Sequence, residues 1–206
     1  MRKMGRPYWV LLGVLSLVVS VAALDRLLPP PLEQTAEVSH VVRDRNGVVL
    51  RAFPVEDGRW RLPADLNSID PDFVQALLAY EDERFYSHAG VDMLAMLRAA
   101  RDNLASGRIV SGASTLTMQL ARLIEPRERT LAAKLLQMIR AVQIERRLSK
   151  DEILEAYLTL APYGGNLEGV RSASWAYFGR EPDELTIDQI ALLIALPQSP
   201  ESRRPD

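Results

Sequence analysis

The sequence predicts a mostly α-helical domain that carries one small β-hairpin and follows a hydrophobic N-terminal segment. Three observations predict this arrangement: helix caps and helical periodicity from Asp70 onward, one Asn-Gly turn between β-branched residues, and one long apolar run near the start. The chain has 206 residues, 48% hydrophobic and 25% charged, which is typical of one packed domain with a short extra segment.

The N-terminal segment has the pattern of a membrane anchor. Positive charges at positions 2, 3 and 6 precede an apolar run from Tyr8 to Leu24. The run of about 17 residues is near the minimum length that spans a bilayer. Because positive flanks stay in the cytoplasm, residues 1–28 are predicted to form a cytoplasmic tip and one transmembrane signal anchor. A cleaved secretory signal is the alternative, since Ser20-Val21-Ala22 ends in small residues.

A linker and a hairpin are predicted to follow the anchor, over residues 29–60. Pro29-Pro30-Pro31 forms a stiff spacer. Between Val38 and Phe53, β-branched runs flank Asn46-Gly47, a strong signal for a tight hairpin turn. No other strand is expected.

Residues 61–206 are predicted to form a single, mostly helical domain. Helices are expected from Asp70 to about residue 85, Asp92 to about Ala105, Ser114 to Ile124, Thr130 to Arg147, Ser149 to Ala161, Leu167 to Phe178 and Thr186 to Leu196. Polar caps begin most of these helices, and glycine or proline ends several of them.

Composition excludes several classes of site. The net charge of −2 gives no overall basic field that would attract nucleic acid. The chain has no cysteine, which excludes a disulfide and a thiolate zinc site. His40 and His88 are its two histidines, too few for a histidine-built metal cage.

Three local clusters carry candidate chemistry, although each also has an ordinary structural explanation. Residues 81–92 place acids at a helix end, which is often a plain surface feature. Residues 112–122 place hydroxyls at a helix start, where a serine cap is common and backbone N–H groups can bind an anion. The third cluster is cationic: Arg122, Arg127, Arg129 and Lys134. A hydroxyl-lined helix start followed by cations favours a phosphate or pyrophosphate site over a solvated basic face.

Four ordered motifs resemble glycosyltransferase family 51. They read EDERFYSHAGVD, GASTLTMQLAR, K-x-x-Q at positions 134–137, and LSKDEILEAYLTLAPYGGNLEGVRSASWAYFGR. The chain is similar to the peptidoglycan glycosyltransferases of class A penicillin-binding proteins, most of all to the 1C type. The resemblance implies a lysozyme-like α fold and polymerisation of lipid II into β-1,4 glycan strands, with inversion and release of undecaprenyl pyrophosphate. It also implies a single-pass protein of the bacterial inner membrane, with its catalytic domain on the periplasmic side.

The resemblance assigns roles to individual residues. Glu81 matches the general base for the acceptor 4-hydroxyl, and Asp82 is expected to support it. His88 is expected to be a hydrogen-bonded structural residue rather than a second base. The residues implied to bind the donor and its pyrophosphate are Arg98, Ser114, Thr115, Gln119, Arg122, Arg129, Lys134 and Gln137.

Gln137 departs from the family pattern, because many members have a second glutamate at this position. A neutral amide weakens any scheme in which this residue binds a metal or acts as an acid. The sequence requires no cofactor, and the resemblance leaves room for Mg²⁺ or Mn²⁺. The expected partners are lipid II, the growing glycan strand and the lipid bilayer, with room for other cell-wall synthesis proteins and none for nucleic acid.

Two other functions are compatible with parts of the pattern. A lysozyme-type lytic enzyme would share the fold and the lone glutamate, but cleaving a finished glycan releases no pyrophosphate. A non-catalytic scaffold that binds lipid II is the second alternative.

Class A penicillin-binding proteins continue into a transpeptidase domain. The chain is therefore expected to be a C-terminally truncated form, and without an S-x-x-K motif these residues are not expected to cross-link peptides.

Arg129→Ala is predicted to weaken binding of pyrophosphate-bearing lipid II analogues about 10-fold or more, because it removes a charge-assisted contact. Surface substitutions usually change the free energy of unfolding by about 0.5 kcal/mol or less. Fluorescence titration of a labelled analogue, alongside chemical denaturation, measures both effects. Unchanged analogue affinity would show that Arg129 does not contact the pyrophosphate.

Overall fold

The computed structural model describes residue 16 and residues 25–46, 49–107, 114–128 and 130–205. The chain divides into two compact units, Met1–Pro31 and Leu32–Asp206. In the first unit, residues 25–27 are helical. Within the described ranges, no helix has both the length and the apolar character needed to cross a membrane. The predicted anchor from Tyr8 to Leu24 lies outside the described residues except for Ser16, so it stays a prediction.

The second unit is mostly helical and contains a small hairpin, which confirms the predicted fold class at this level. Its helices are α1 (Glu33–Ala36), α2 (Pro71–Glu81), α3 (Met93–Ser106), α4 (Leu116–Ile124), α5 (Leu131–Glu145), α6 (Lys150–Leu160), α7 (Val170–Phe178) and α8 (Ile187–Ala195). Its strands are β1 (His40–Arg43), β2 (Val49–Phe53), β3 (Trp60–Arg61) and β4 (Leu167–Glu168). Short 3-10 turns lie at Leu66–Ser68, Phe85–Ser87 and Leu196–Gln198.

Strands β1 and β2 form the predicted hairpin. They pair antiparallel, with His40 opposite Phe53 and Val41 opposite Ala52. The register shifts next to Val42, as in a β-bulge. The pairing is therefore the one that the Asn-Gly signal predicts, although Gly47 itself lies outside the described residues.

A second sheet of two short parallel strands was not predicted, and the predicted helix start at Leu167 is wrong. Strand β3 pairs with β4, which places Arg61 beside Glu168. Their side chains form a buried ion pair at 2.7 Å. Gly169 then takes a positive φ of 84°, and a Cβ there would lie 2.7 Å from the carbonyl oxygen of Thr159. This turn separates β4 from α7, so the helix begins only at Val170.

Several predicted caps are confirmed. The Asp70 carboxylate accepts hydrogen bonds from the N–H groups of Asp72 at 2.9 Å and Leu185 at 2.7 Å, so it caps α2 and also holds the chain before α8. Asp92 caps α3 through Ala95 N–H. Capping boxes begin α6 and α8, at Ser149 with Glu152 and at Thr186 with Gln189. These local hydrogen bonds set where the helices begin.

Thr115, rather than the predicted Ser114, caps α4. Its hydroxyl accepts a hydrogen bond from the N–H of Met118 at 3.1 Å. The same hydroxyl donates to the carbonyl oxygen of Gly90 at 2.6 Å. A threonine here satisfies the helix start and also ties it to the loop after α2, which leaves Ser114 free for a different contact.

Helix α6 is the centre of the hydrophobic core. Its buried residues lie on every side of the helix, as in a helix enclosed by others: Ile153, Leu154, Ala156, Tyr157, Leu158, Thr159 and Leu160. Helix α4 packs against both α5 and α6, and α2 packs against α8. Phe73 and Leu77 of α2 share the core with Leu116 and Leu120 of α4. The shared core brings the C-terminal end of α2 next to the N-terminal end of α4.

Gly90→Ala is predicted to destabilise the protein by about 3 kcal/mol or more. A side chain in the left-handed region costs roughly 1–2 kcal/mol, and Gly90 has a φ of 88°. The added Cβ would also lie 2.8 Å from the backbone carbon and oxygen of Ala141 in α5, where nothing flexible can move aside.

Gly107→Ala is the matched control. Gly107 has a φ of 65°, but a Cβ there meets no atom within 4 Å. We expect a loss of about 1–2 kcal/mol from backbone strain alone. Urea denaturation of both variants measures the difference, and equal losses would contradict the proposed contact between Gly90 and α5.

Candidate active site

A cleft of about 190 Å³ opens where α2 ends. It lies between the end of α2, the loop over residues 82–92, helix α3 and the start of α4. The residues that line it are Ala79, Tyr80, Glu81, Asp82, Glu83, Arg84, Asp92, Ala95, Arg98, Ser114 and Thr115. Five of the residues predicted from sequence therefore meet in one cleft: Glu81, Asp82, Arg98, Ser114 and Thr115.

Glu81 is the last residue of α2, and two side-chain amides hold its carboxylate. Gln119 Nε2 donates to Oε2 at 2.7 Å, and Gln198 Nε2 donates to Oε1 at 3.0 Å. Gln119 comes from α4, whereas Gln198 comes from the 3-10 turn after α8. Because both donors are neutral, they orient the carboxylate without cancelling its charge.

Tyr157 lies behind Gln119. The buried phenol donates to Gln119 Oε1 over a long contact of 3.5 Å. Burial, together with the nearby Glu81 carboxylate, raises the pKa of the Tyr157 phenol above its ordinary value of 10. The phenol therefore keeps its proton and remains a donor, which turns the amide N–H of Gln119 toward Glu81.

Asp82 faces the protein interior, whereas Glu81 faces the cleft. Its buried carboxylate accepts a hydrogen bond at 2.9 Å from the backbone N–H of Leu116, the first residue of α4. Its other oxygen lies 2.9 Å from His88 Nε2. Negative charge at a helix N-terminus is stabilised by the free N–H groups there. Asp82 thus joins the end of α2 to the start of α4, a geometry that fits the expected supporting role.

His88 has both ring nitrogens engaged. The backbone N–H of Gly90 donates to Nδ1 at 3.2 Å, so Nδ1 is an acceptor in this contact. The proton of the neutral ring then lies on Nε2, which donates to Asp82. This arrangement agrees with a structural histidine and not with a second base.

Arg84 and Asp92 close the loop after α2. The Arg84 guanidinium donates to both oxygens of the buried Asp92 carboxylate, at 2.9 and 2.5 Å. This pairing, aided by the N–H of Ala95, lowers the pKa of Asp92 from 3.8 to about 2. The carboxylate is ionised at neutral pH and holds one wall of the cleft.

Cations lie next to the hydroxyl-lined side of the cleft. Lys134 Nζ of α5 donates to the hydroxyl of Ser114. Burial, and then the positive charge of Arg122, lower the pKa of Lys134 below its ordinary 10.5. Arg122 is an exposed residue in the last turn of α4. A bound anion would offset this repulsion, so the pair has the electrostatics of an anion site.

The remaining predicted residues are not placed in the cleft. Gln137 lies half-buried on α5, three residues after Lys134 and on the same face. It has no hydrogen-bond partner within the described ranges and does not line the cleft. Arg127 pairs with Glu125 near the surface. Arg129 lies outside the described residues, so its place in the site stays a prediction.

Binding of Mg²⁺ or Mn²⁺ stays a prediction. Over the described part of the chain, no group of three or more His, Asp or Glu side chains is arranged to hold a metal ion. Both oxygens of Glu81 accept from amides, Asp82 is bound to Leu116 and His88, and Asp92 is bound to Arg84.

Sequence reasoning missed four residues of this site. Gln198 and Tyr157 hold the glutamate and its glutamine partner, and Arg84 with Asp92 closes the loop. Asp92 carried a helix-cap signal, but nothing local links Gln198 to Glu81, 117 positions away. A contact of that range becomes visible only in the folded chain.

Comparison with known proteins identifies the family of the chain. A family model described as transglycosylase matches residues 46–206. The chain belongs to the transglycosylase family. Nearly all of the folded second unit of this transglycosylase, including every residue that lines its cleft, falls within the matched range.

Its relatives include several penicillin-binding proteins. Penicillin-binding protein 1C of Escherichia coli K12 is 43% identical over 203 residues, which cover 98% of this chain and 26% of that protein. Penicillin-binding protein 1A of the same strain is 36% identical over 210 residues, covering 96% and 24%. Penicillin-binding protein 1A of Aquifex aeolicus is 37% identical over 193 residues, covering 92% and 26%. The transglycosylase chain spans about a quarter of the length of these relatives.

Asp92→Asn is predicted to cost about 1–2 kcal/mol at neutral pH, because the hydrogen bonds to a charged group are weakened. The folded-state pKa of about 2 lies below the ordinary 3.8, so the ion pair stabilises the fold above about pH 4 and is lost as the pH falls toward 2. The stability gap between the two proteins should therefore shrink over that window.

Urea denaturation between about pH 7 and pH 2.5 measures this gap. Glu83→Gln, which removes an exposed acid from the same loop, serves as the control and should show no comparable window. A gap that stayed constant down to the lowest pH would contradict the assignment to Asp92.

Proposed function

We propose that this transglycosylase is a peptidoglycan glycosyltransferase that polymerises lipid II into β-1,4 glycan strands. One observation carries the proposal: the oriented carboxylate of Glu81 shares a cleft with Arg98 and Ser114, and Lys134 binds that serine. Joining two lipid-linked sugars needs a base at one end of the site and cations at the other. The cleft supplies both.

In the proposed reaction, Glu81 takes the proton of the acceptor 4-hydroxyl. The oxygen then forms a bond to C1 of the donor sugar while the bond from C1 to the pyrophosphate oxygen breaks. Attack from the opposite side inverts the anomeric centre, and undecaprenyl pyrophosphate leaves with the bonding electrons. A positioned carboxylate suits this role because a general base must lie within hydrogen-bond reach of the proton it removes.

Lys134, Arg98 and Arg122 are proposed to bind the pyrophosphate, and the hydroxyls of Ser114 and Thr115 line the donor side. Charge grows on the leaving pyrophosphate as the bond to C1 breaks, and fixed cations stabilise that charge. The lowered pKa of Lys134 supports this role, because the charged form regains a favourable setting when an anion binds beside it.

The lipid bilayer is the proposed neighbour of α3 and α5. These helices expose large apolar side chains: Met93, Leu94, Leu97 and Leu104 on α3, and Leu131, Leu135 and Ile139 on α5. Leu104 and Leu131 are 84% and 87% exposed, which is costly in water and favourable against lipid tails. Such a surface suits an enzyme on the periplasmic side of the inner membrane, whose substrate carries a long isoprenoid chain.

A lytic reaction fits the site less well. Hydrolysis of a glycosidic bond uses carboxyl groups and water and has no anionic leaving group. The cationic side formed by Lys134 and Arg122 would have no part in it. A muramidase assay on finished glycan should therefore give no product under conditions in which lipid II is polymerised.

Glu81→Gln is predicted to lower the rate of strand formation by about 100-fold or more, because it removes the base but keeps the size and polarity of the side chain. Binding of a lipid II analogue should change by less than about threefold, since Glu81 is not a donor-binding group. Gel separation of products from labelled lipid II, with analogue titration, measures both quantities.

Asp72→Asn is the matched control, because Asp72 is an exposed acid at the other end of the same helix. It should polymerise lipid II at the wild-type rate. Full turnover by Glu81→Gln would remove Glu81 from the role of base. Binding of lipid II without any product from the wild-type chain would favour the scaffold alternative.

A further inference from the structure

Gln198, which lies close to the end of the described chain, contacts Glu81 at the cleft. After α8, residues 196–205 form a strap that we define by this range. The strap is fastened at Glu201, whose carboxylate accepts the backbone N–H of Gly165 at 2.9 Å. Near its start, Gln198 Nε2 donates to Glu81 Oε1 at 3.0 Å. One of the two bonds that hold the glutamate therefore comes from this strap.

Arg203 settles which way the Gln198 amide faces. Arg203 Nη1 donates to Gln198 Oε1 at 2.9 Å and to the carbonyl oxygen of Ala195 at 2.8 Å. A guanidinium can only donate, so the oxygen of the amide must face Arg203 and its NH₂ group must face Glu81. A flipped amide would set oxygen against carboxylate and NH₂ against guanidinium, and both contacts repel.

The two carboxylate oxygens of Glu81 are held in the same way, each by one side-chain amide. Tyr157 donates to the oxygen of Gln119, which turns the nitrogen of that amide toward Oε2. Arg203 does the same for Gln198 at Oε1. Each amide is neutral and each is oriented by a donor behind it, so the carboxylate is held in place from two directions while its negative charge is kept.

We propose that Gln198 and Arg203 are positioning residues for Glu81, and that Arg203 acts through Gln198. The inference rests on the proposed role of Glu81 as the base. With Gln119 alone, the carboxylate can rotate about its last side-chain bond, and the oxygen that should meet the acceptor hydroxyl spends less time in place. Misplacement of a reacting group by about 1 Å can cost about 100-fold in rate.

Kinetic constants for lipid II polymerisation test the proposal. Gln198→Leu, which keeps a similar volume without a donor, should lower kcat about 10- to 100-fold and change KM less than about threefold. Arg203→Met should lower kcat about 10-fold, whereas Arg203→Lys, which keeps a donor, should stay within about threefold of wild type. A wild-type kcat in Gln198→Leu would overturn the proposal.

A double-mutant cycle separates action through Gln198 from a general structural effect. In a Gln198→Leu background, Arg203→Met should lower kcat by less than about twofold further, because its target is already absent. Equal effects of Arg203→Met in both backgrounds would show that Arg203 acts by another route. Glu201→Ala removes the contact with Gly165 but keeps Gln198 and Arg203, so it should lower kcat less than Gln198→Leu does; an equal loss would assign the effect to strap docking and overturn the proposal.

A crystal structure of Gln198→Leu distinguishes failure of this inference from failure of the proposed function. We expect the Glu81 carboxylate to leave the position in which it lies 2.7 Å from Gln119 Nε2. If it stays there, the positioning role is wrong even when the enzyme is active. If the carboxylate moves but the wild-type chain makes no glycan, the positioning role stands and the assigned reaction fails.

Discussion

The buried carboxylate of Asp82 is the interaction on which the cleft depends. It accepts hydrogen bonds from the first N–H of α4 and from Nε2 of His88, and so joins the end of α2 to the start of α4. Because Glu81 directly precedes Asp82 and Gln119 lies one turn into α4, this contact acts with the shared core to place the two side chains next to each other. A buried carboxylate without these partners would be strongly unfavourable, so the two helix ends are held together firmly.

Two neighbouring acids thus have different tasks because their surroundings differ. Asp82 is bound by a helix start and an imidazole, both of which satisfy its charge inside the protein. Glu81 is bound by neutral amides at the edge of a cleft, where its charge stays available to a substrate. Next to the cleft, Lys134 binds Ser114, and the positive charge of Arg122 lowers the pKa of Lys134, so an anion beside the pair would be stabilised. Sugar transfer from a pyrophosphate requires a negative group and positive groups that lie apart within one site.

The sequence predicted the features that depend on hydrogen bonds between residues close together in the chain. Helix caps such as Asp70 and Asp92 act within three residues, so their patterns could be recognised without the fold. The prediction of Ser114 as a cap was wrong by one residue, because Thr115 caps the helix instead. The hydroxyl of Thr115 also bonds Gly90, a partner 25 positions away that the local sequence does not indicate. Strands β3 and β4 have two residues each and no periodicity, and the Arg61–Glu168 pair that joins them spans 107 positions. The contact between Gln198 and Glu81 left no local signal for the same reason.

The strap affects where the C-terminal boundary of a shortened fragment of this domain should be placed. The hydrophobic core is complete by Leu196, so a fragment that stops there would keep its buried residues and could fold with normal helical content. It would nevertheless lack the amide that steadies one oxygen of its central acid. Such a fragment would be soluble and would have a normal circular dichroism spectrum, but its catalytic rate would be lower. Boundaries for a minimal fragment should therefore be set by the reach of side chains to the cleft and not by the extent of the core.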